Sequence, residues 1–380
     1  MSYLPRIVDG ELAARLEASG GVVIEGPKAR GKTETARQIA ASEVRLDVDA
    51  EARLAISVDP ALVLGGAPPR LIDEWQLEPA IWNHVRRAID DRGAPGQFIL
   101  TGSAVPTDDI TRHTGAGRIT RLRMRLMSLF ETGRSSGAIS LAGLLAGEPA
   151  RSASPGLSVT HLAERIAVGG WPDGLGRSVL SRVARNVATY AADTALGADA
   201  GGAAGPLDNQ TVADYLSALE RLMIVEDQPA WAPHLRSRSV LRAAAKRHFV
   251  DPSLAVAALR TSPAALLRDL ETLGCLFESL VVRDVRIYAQ AIDAAVFAYR
   301  DNTVEVDVIV EAADGRWGAF EVKLGAGRVE EAAANLRRFA ARIDTDRTGP
   351  PAVLAVVTGG GYGYVRDDGV AVVPIGALKP

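Results

Sequence analysis

The chain has 380 residues, 47% hydrophobic and 23% charged, with 43 Lys and Arg against 46 Asp and Glu for a net charge of −3. That length predicts two or three domains, and the balanced charge excludes a global attraction to nucleic acid, so any DNA contact has to be local. The lone cysteine, Cys275, excludes an intrachain disulfide and a cysteine metal cluster, while no apolar run is long enough to span a bilayer, which together predict a cytoplasmic protein with no membrane role.

Residues 1–135 alternate the strand-like runs GVVIEG, RLIDE and QFILTGS with helical stretches, the α/β pattern of a parallel sheet covered by helices. Small-residue stretches near Ser135 to Pro155 and from Gly197 to Pro206 mark linkers around a helical region over 136–206, in which WPDG at Trp171 to Gly174 marks a turn. Over 207–262, Val212, Tyr215, Leu216, Leu219 and Leu222 fall at helical spacing before a strand-like run, which suits a small winged-helix module. Residues 263–380 read helix, three strands, helix, strand, an αβββαβ order, and Cys275 in LETLGCLFESL takes a core position on the first of these helices.

Gly26 to Thr33 spell GPKARGKT, matching G-x-x-x-x-G-K-S/T between an apolar run and the helical TETARQIAA. A nucleotide tail carries several negative charges, which bare backbone N–H groups and a helix N-terminus can enclose only where side chains leave room. Gly26, Pro27, Lys28, Ala29, Arg30, Gly31, Lys32, Thr33 and Glu34 are therefore the candidate residues around ATP. Lys32 carries the charge for the β- and γ-phosphates and Thr33 a hydroxyl for magnesium.

In RLIDEWQ, Asp73 and Glu74 end an apolar run, a placement suited to holding magnesium through Asp73 and orienting the attacking water through Glu74. QFILTGS ends in Thr101 and Ser103, polar groups placed to monitor the γ-phosphate. RHTGAGRITRLRMR gathers Arg112, Arg118, Arg121, Arg123 and Arg125. Spacing does not choose an arginine finger among them, and Arg118 stands as the candidate. His84, His113 and His161 have no partnered spacing.

GPKARGKT, LIDEWQ, ILTGS, GAGR and RMRLMSLFE resemble a bacterial and archaeal AAA-type P-loop ATPase family, and FVDPSLA, LFESLVVRDVRIYA and YRDNTVEVDVIVE resemble segments of its C-terminal domain of uncharacterised function. The resemblance implies an AAA-like nucleotide fold, a winged helix and a restriction-endonuclease-like end domain.

VEVD around Asp307 and FEVK with Glu321 and Lys323 have the spacing of a PD-(D/E)XK nuclease core, with Glu278 in the preceding helix as a fourth member. Asp307 and Glu321 are candidate magnesium ligands, and Lys323 steadies the nucleophile or the transition-state charge. Glu305-Val306-Asp307 stands where the motif has Pro-Asp. A two-residue Asp314-Gly315 turn would place Asp307 opposite Val322 and split the site across two faces. A working site needs an odd loop or a bulge that sets Asp307 opposite Glu321 or Lys323.

PHLRSRSVLRAAAKRHF brings His234, Arg236, Arg238, Arg242, Lys246, Arg247 and His248 together near the expected wing, suited to DNA phosphates. The expected function is an ATPase whose nucleotide state controls a C-terminal module acting on DNA or a protein partner. The alternatives are a magnesium-dependent endonuclease with an ATPase loader and a nucleotide-regulated binding protein of a defence or toxin-antitoxin system. A homo-oligomer would let a neighbour supply the arginine.

Overall fold

The computed structural model describes residues 3–102, 115–172, 216–233 and 245–380. Contacts divide the chain into two compact units, Met1–Arg125 with Ser217–Ile224, and Leu126–Leu216 with Val225–Pro380.

The first unit holds five parallel strands, β1 (Gly21–Glu25), β2 (Ser42–Arg45), β3 (Arg70–Asp73), β4 (Phe98–Gly102) and β5 (Ile119–Arg123), in the order β2-β3-β4-β1-β5. The two faces of β1 feed separate cores. Val22 and Ile24 pack with Leu12 and Leu16 of the helix Val8–Ala18, while Val23 packs with Trp82, Val85 and Ile89 of the helix Ile81–Arg92. This alternation explains the unbroken apolar run, since a central parallel strand is covered on both sides.

In the second unit β6 (Ile139–Ser140) pairs in parallel with the last strand, β15 (Leu378–Lys379). An antiparallel hairpin, β7 (Val225–Gln228) and β8 (Lys246–Phe249), precedes the long helix Leu270–Gln290. A six-stranded sheet then forms from β9 (Ala294–Arg300), β10 (Glu305–Ala312), β11 (Trp317–Lys323), β12 (Val353–Thr358), β13 (Tyr364–Val365) and β14 (Ala371–Pro374), in the order β13-β14-β12-β11-β10-β9. Trp317 packs against Trp231 at 4.8 Å and against Phe339 of the helix Val329–Ala340 at 6.0 Å, closing one side of this sheet.

The β10–β11 turn sets the register. Ala312 N donates to Arg316 O at 2.8 Å and Gly315 N to Ala312 O at 2.9 Å, leaving Ala313, Asp314 and Gly315 as the loop. Gly315 takes φ +85°, a left-handed conformation that completes such a loop with a one-residue bulge. Val308 consequently pairs with Phe320. Continuing that register sets Asp307 opposite Glu321, on the arrangement a working site requires.

A second irregularity lies on the other side of β10, where the pairing with β9 shifts between Val306 and Ile309. A bulge leaves backbone groups to be met from elsewhere. Gln228 meets them, its Nε2 donating to Phe297 O at 2.7 Å and to Asp307 O at 3.0 Å. Its Oε1 accepts from His248 Nε2 at 2.9 Å, which leaves Nδ1 as acceptor toward the Ser279 hydroxyl at 3.3 Å.

Three segments singled out in the sequence meet in one buried network. Arg283 donates to Asp251 at 2.7 Å and to Asp284 at 2.8 Å, and all three side chains are at most 3% exposed. Asp251 also caps the helix Pro252–Ala258 and accepts from Gly170 N at 2.9 Å, while Asp284 accepts from Leu129 N at 2.9 Å. FVDPSLA, VVRDVR and RMRLMSLFE are thereby tied by charge and backbone donors at one place.

Several expectations are corrected. Cys275 is exposed, because Leu273, Leu276, Phe277 and Leu280 take the buried face of its helix. At its described end the basic segment is engaged with the protein itself. Arg247 pairs with Asp227 at 2.7 Å, His248 is buried, and Lys246 turns toward carboxylates. Val212, Tyr215, Asp173, Gly174, His234, Arg236, Arg238 and Arg242 lie outside the described residues.

Arg283→Met leaves Asp251 and Asp284 buried without their cation, and urea unfolding should show a loss of about 3–5 kcal/mol; a loss below about 1 kcal/mol would mean the charges do not hold these segments. A second prediction concerns acid. Burial, then Arg286 and Lys246 nearby, pushes His248 down to about 4. The unfolded chain therefore binds the extra proton first, so stability is full above the ordinary histidine range near 6.5 and falls as pH drops from there to about 4, by roughly 3 kcal/mol. Replacing His248 with Asn should flatten unfolding free energy across that window; an unchanged slope would contradict the assignment.

Candidate functional site

β1 runs into a loop over Gly26–Gly31 and then into the helix Lys32–Arg37. Gly26, Ala29 and Gly31 take φ of +149°, +66° and +90°, conformations that turn the chain tightly at the strand edge. Below the loop lies Arg30, only 1% exposed, whose Nη2 donates to Glu25 O at 3.4 Å. A Cβ on Gly26 would sit 1.1 Å from that nitrogen. Arg6, also buried, donates to Arg30 O at 3.1 Å and to Arg125 O at 2.8 Å. Arg30 thus braces the loop from inside the protein, a role the motif spacing does not reveal.

Lys32 is 6% exposed and its Nζ donates to Gly26 O at 2.8 Å and Pro27 O at 3.0 Å. Burial, with Arg30 beside it, pushes this ammonium down to about 7, against the opposite pull of Glu74 and Asp73. Thr33 Oγ1 donates to Asp73 Oδ1 at 2.8 Å, and the buried Thr101 hydroxyl donates to the same oxygen. Parallel pairing places Thr101 beside both Asp73 and Ile24, so three strand ends deliver these groups to one edge. Glu74 follows at φ +56°, a left-handed turn, and accepts from Gln76 Nε2.

These residues fit a magnesium nucleotide. Thr33 and Asp73 present hard oxygen donors in mutual contact, the donor type that magnesium takes, and the Lys32 ammonium rests on carbonyls at the mouth of the loop. Pro27 is buried within the loop, Lys28 and Ala29 are exposed on it, and the exposed Glu34 pairs with Arg37 at 2.5 Å. Arg118 stands apart. It precedes β5, at the opposite end of the strands from the loop, and pairs with Asp90 at 2.8 Å. Arg123, opposite Glu25, is the arginine of that strand set at the loop's end. Ser103, Arg112 and His113 lie outside the described residues, and His84 and His161 are exposed.

In the second unit a cavity of about 370 Å³ is lined by Lys246, Glu278, Glu305, Asp307, Glu321 and Lys323, with Asn335 and Arg338 at its side. Asp307 Oδ2 accepts from Val322 N at 2.8 Å and faces Lys323 Nζ at 3.7 Å. Glu321 accepts from Lys323 at 2.8 Å and from Asn335 at 2.7 Å. Burial, then the Asp307 charge, pushes Glu321 up to about 7, and the same causes raise Glu278. Lys323 is held up by Asp307 and Glu321 although burial opposes it.

The site therefore brings Asp307, Glu278, Glu321 and Lys323 together and adds Lys246, whose Nζ lies 2.5 Å from Glu278, 3.4 Å from Glu305 and 3.7 Å from Asp307. A lysine among these acids changes the chemistry. Among the described residues no group of three or more His, Cys, Asp or Glu side chains is arranged to hold a metal ion. The acids here face ammoniums and amides, and as they stand they do not fit the magnesium role expected of Asp307 and Glu321. Lys246 escaped the sequence reading because it was grouped with its basic neighbours; its alternation with Arg247 along a strand was the available signal.

Comparison with known proteins gives a match of residues 19–133 to an AAA domain family, of residues 273–378 to a domain of unknown function (DUF4143), and of residues 175–265 to another (DUF8612). Two uncharacterized proteins, Mb2031c of Mycobacterium bovis and Rv2008c of Mycobacterium tuberculosis, are each 26% identical over 371 residues, covering 93% of this chain and 79% of theirs. The solved structure of Can2 from Sulfobacillus thermosulfidooxidans in complex with cyclic tetra-adenylate aligns over 91% of this chain and 89% of that one, at 11% identity and a TM-score of 0.19. No described helix is long and apolar enough to cross a membrane. The loop, Asp73 and Thr101 all fall inside the segment that matches the AAA domain, which is a nucleotide-binding, ATPase-like assignment for the N-terminal unit.

Proposed function

We propose that the N-terminal unit binds ATP with magnesium and hydrolyses it, and that its nucleotide state controls the C-terminal unit in acting on DNA or a protein partner. The observation that carries the ATPase reading is the Thr33–Asp73 contact at 2.8 Å beside the buried Lys32, since magnesium and triphosphate need these groups within one coordination sphere of each other. Lys32 exchanges the loop carbonyls for phosphate oxygens and regains the full charge that burial weakens. Thr33 and Asp73 would hold magnesium, which supplies charge neutralisation at the phosphates. Glu74, thrown out of the strand by its left-handed turn, orients the attacking water, and Thr101 keeps the Asp73 carboxylate aligned. For the C-terminal unit the endonuclease reading has the shared face of Asp307, Glu321 and Lys323 in its favour and Lys246 against it, which favours a recognition module over a cutting one.

Binding of a fluorescent ATP analogue and release of phosphate test the reading on the full chain. Lys32→Ala removes a charge-assisted phosphate contact and should weaken ATP by roughly 10–100-fold; wild-type affinity in that variant would sink the proposal. Glu74→Gln should leave affinity within about threefold while turnover falls at least about 100-fold. Equal turnover with wild type would remove Glu74 from the chemistry.

A further inference from the structure

Asp307, Glu321 and Glu278 have the composition of a divalent-cation site, yet the ammonium of Lys246 lies 2.5 Å from Glu278 and 3.7 Å from Asp307. It reaches the cluster from β8, a strand outside the sheet that carries Asp307 and Glu321, and is held there by the pairing of Gln228 with Lys246. Gln228 is itself bonded to the backbone of Asp307, so one side chain fixes both the lysine's strand and the bulge that aims the acid. The geometry points to Lys246 as a built-in occupant of the cation position, so that this pocket excludes divalent metal while its own lysine is in place.

The carboxylates of Asp307 and Glu321 are already engaged. Asp307 Oδ1 faces Lys246 at 3.7 Å and its Oδ2 takes the Val322 amide at 2.8 Å. Glu278 Oε1 lies 2.5 Å from Lys246, and both oxygens of Glu321 are taken by Lys323 and Asn335. Without Lys246 the carboxylates of Glu278, Glu305 and Asp307 would crowd one another with a single remaining lysine, a cost that a cation must relieve. A tethered ammonium competes with free metal at an effective concentration that reaches the millimolar range, enough to outcompete a hard cation that binds weakly. The acids of this pocket thereby become metal ligands only once Lys246 is removed from among them.

Manganese titration of the nucleotide-free full chain, followed by calorimetry and by the electron paramagnetic resonance of free Mn²⁺, tests this directly. Wild type and Asp307→Asn should give superimposable titrations, since asparagine keeps the acceptor for Val322 and the pocket holds no metal to lose. Lys246→Met should gain a site at least about 10-fold tighter than any in wild type, and the double variant Lys246→Met with Asp307→Asn should lose it again. Binding at the nucleotide loop is common to all four proteins and cancels in the differences. A wild-type site abolished by Asp307→Asn overturns the inference, whether or not Lys246→Met folds; so does a folded Lys246→Met that binds Mn²⁺ no tighter than wild type. The nucleotide assays on Lys32 are independent of either result.

Discussion

A carboxylate withdrawn from water has to be met by donors or cations, and in both units the candidate chemistry is built around one that is. Asp73 receives the hydroxyls of Thr33 and Thr101, each brought by a different strand end or helix start. Asp307 receives the Val322 amide and stands between two lysines. The register, turn length and bulge position of these strands are the ones that satisfy both groups.

The same demand organises the second unit's interior. Arg283, Asp251 and Asp284 are as deeply buried as the surrounding Leu and Phe, and each carboxylate also takes a backbone N–H from a segment that belongs to no sheet. Gly170 is part of that arrangement, since its N–H serves Asp251, its carbonyl takes the Met127 amide at 2.8 Å, and a Cβ there would lie 2.1 Å from Met127 O. Irregular backbone can be buried here because its polar groups have been matched one by one.

What was legible in the sequence was local. GPKARGKT carries its own strand and helix flanks, Asp73 ends an apolar run, and the last unit's order of helix and strands follows from its hydrophobic periods. The face shared by Asp307 and Glu321 could be reasoned from strand alternation once the loop was required to be odd, and Ala313, Asp314 and Gly315 supply that loop. What escaped was set by tertiary pairing. Lys246 and Asp307 meet only because Gln228 docks a distant hairpin on a bulge, and Arg118 reads like its neighbours until the direction of β5 puts it at the wrong end. Cys275 was misplaced for a related reason, since an apolar neighbourhood in sequence spans the whole circumference of a helix and only one side of it is covered.

The arrangement of Arg30 beneath Gly26 carries a consequence for how this loop can diverge. The guanidinium occupies the volume that a methyl group on residue 26 would need, so enlarging one position forces the side chain of the other to move. Two positions that look independent, the first glycine of the motif and an x four residues on, share one volume. A shorter residue 30 would free that volume, yet the φ of +149° at residue 26 would still favour glycine.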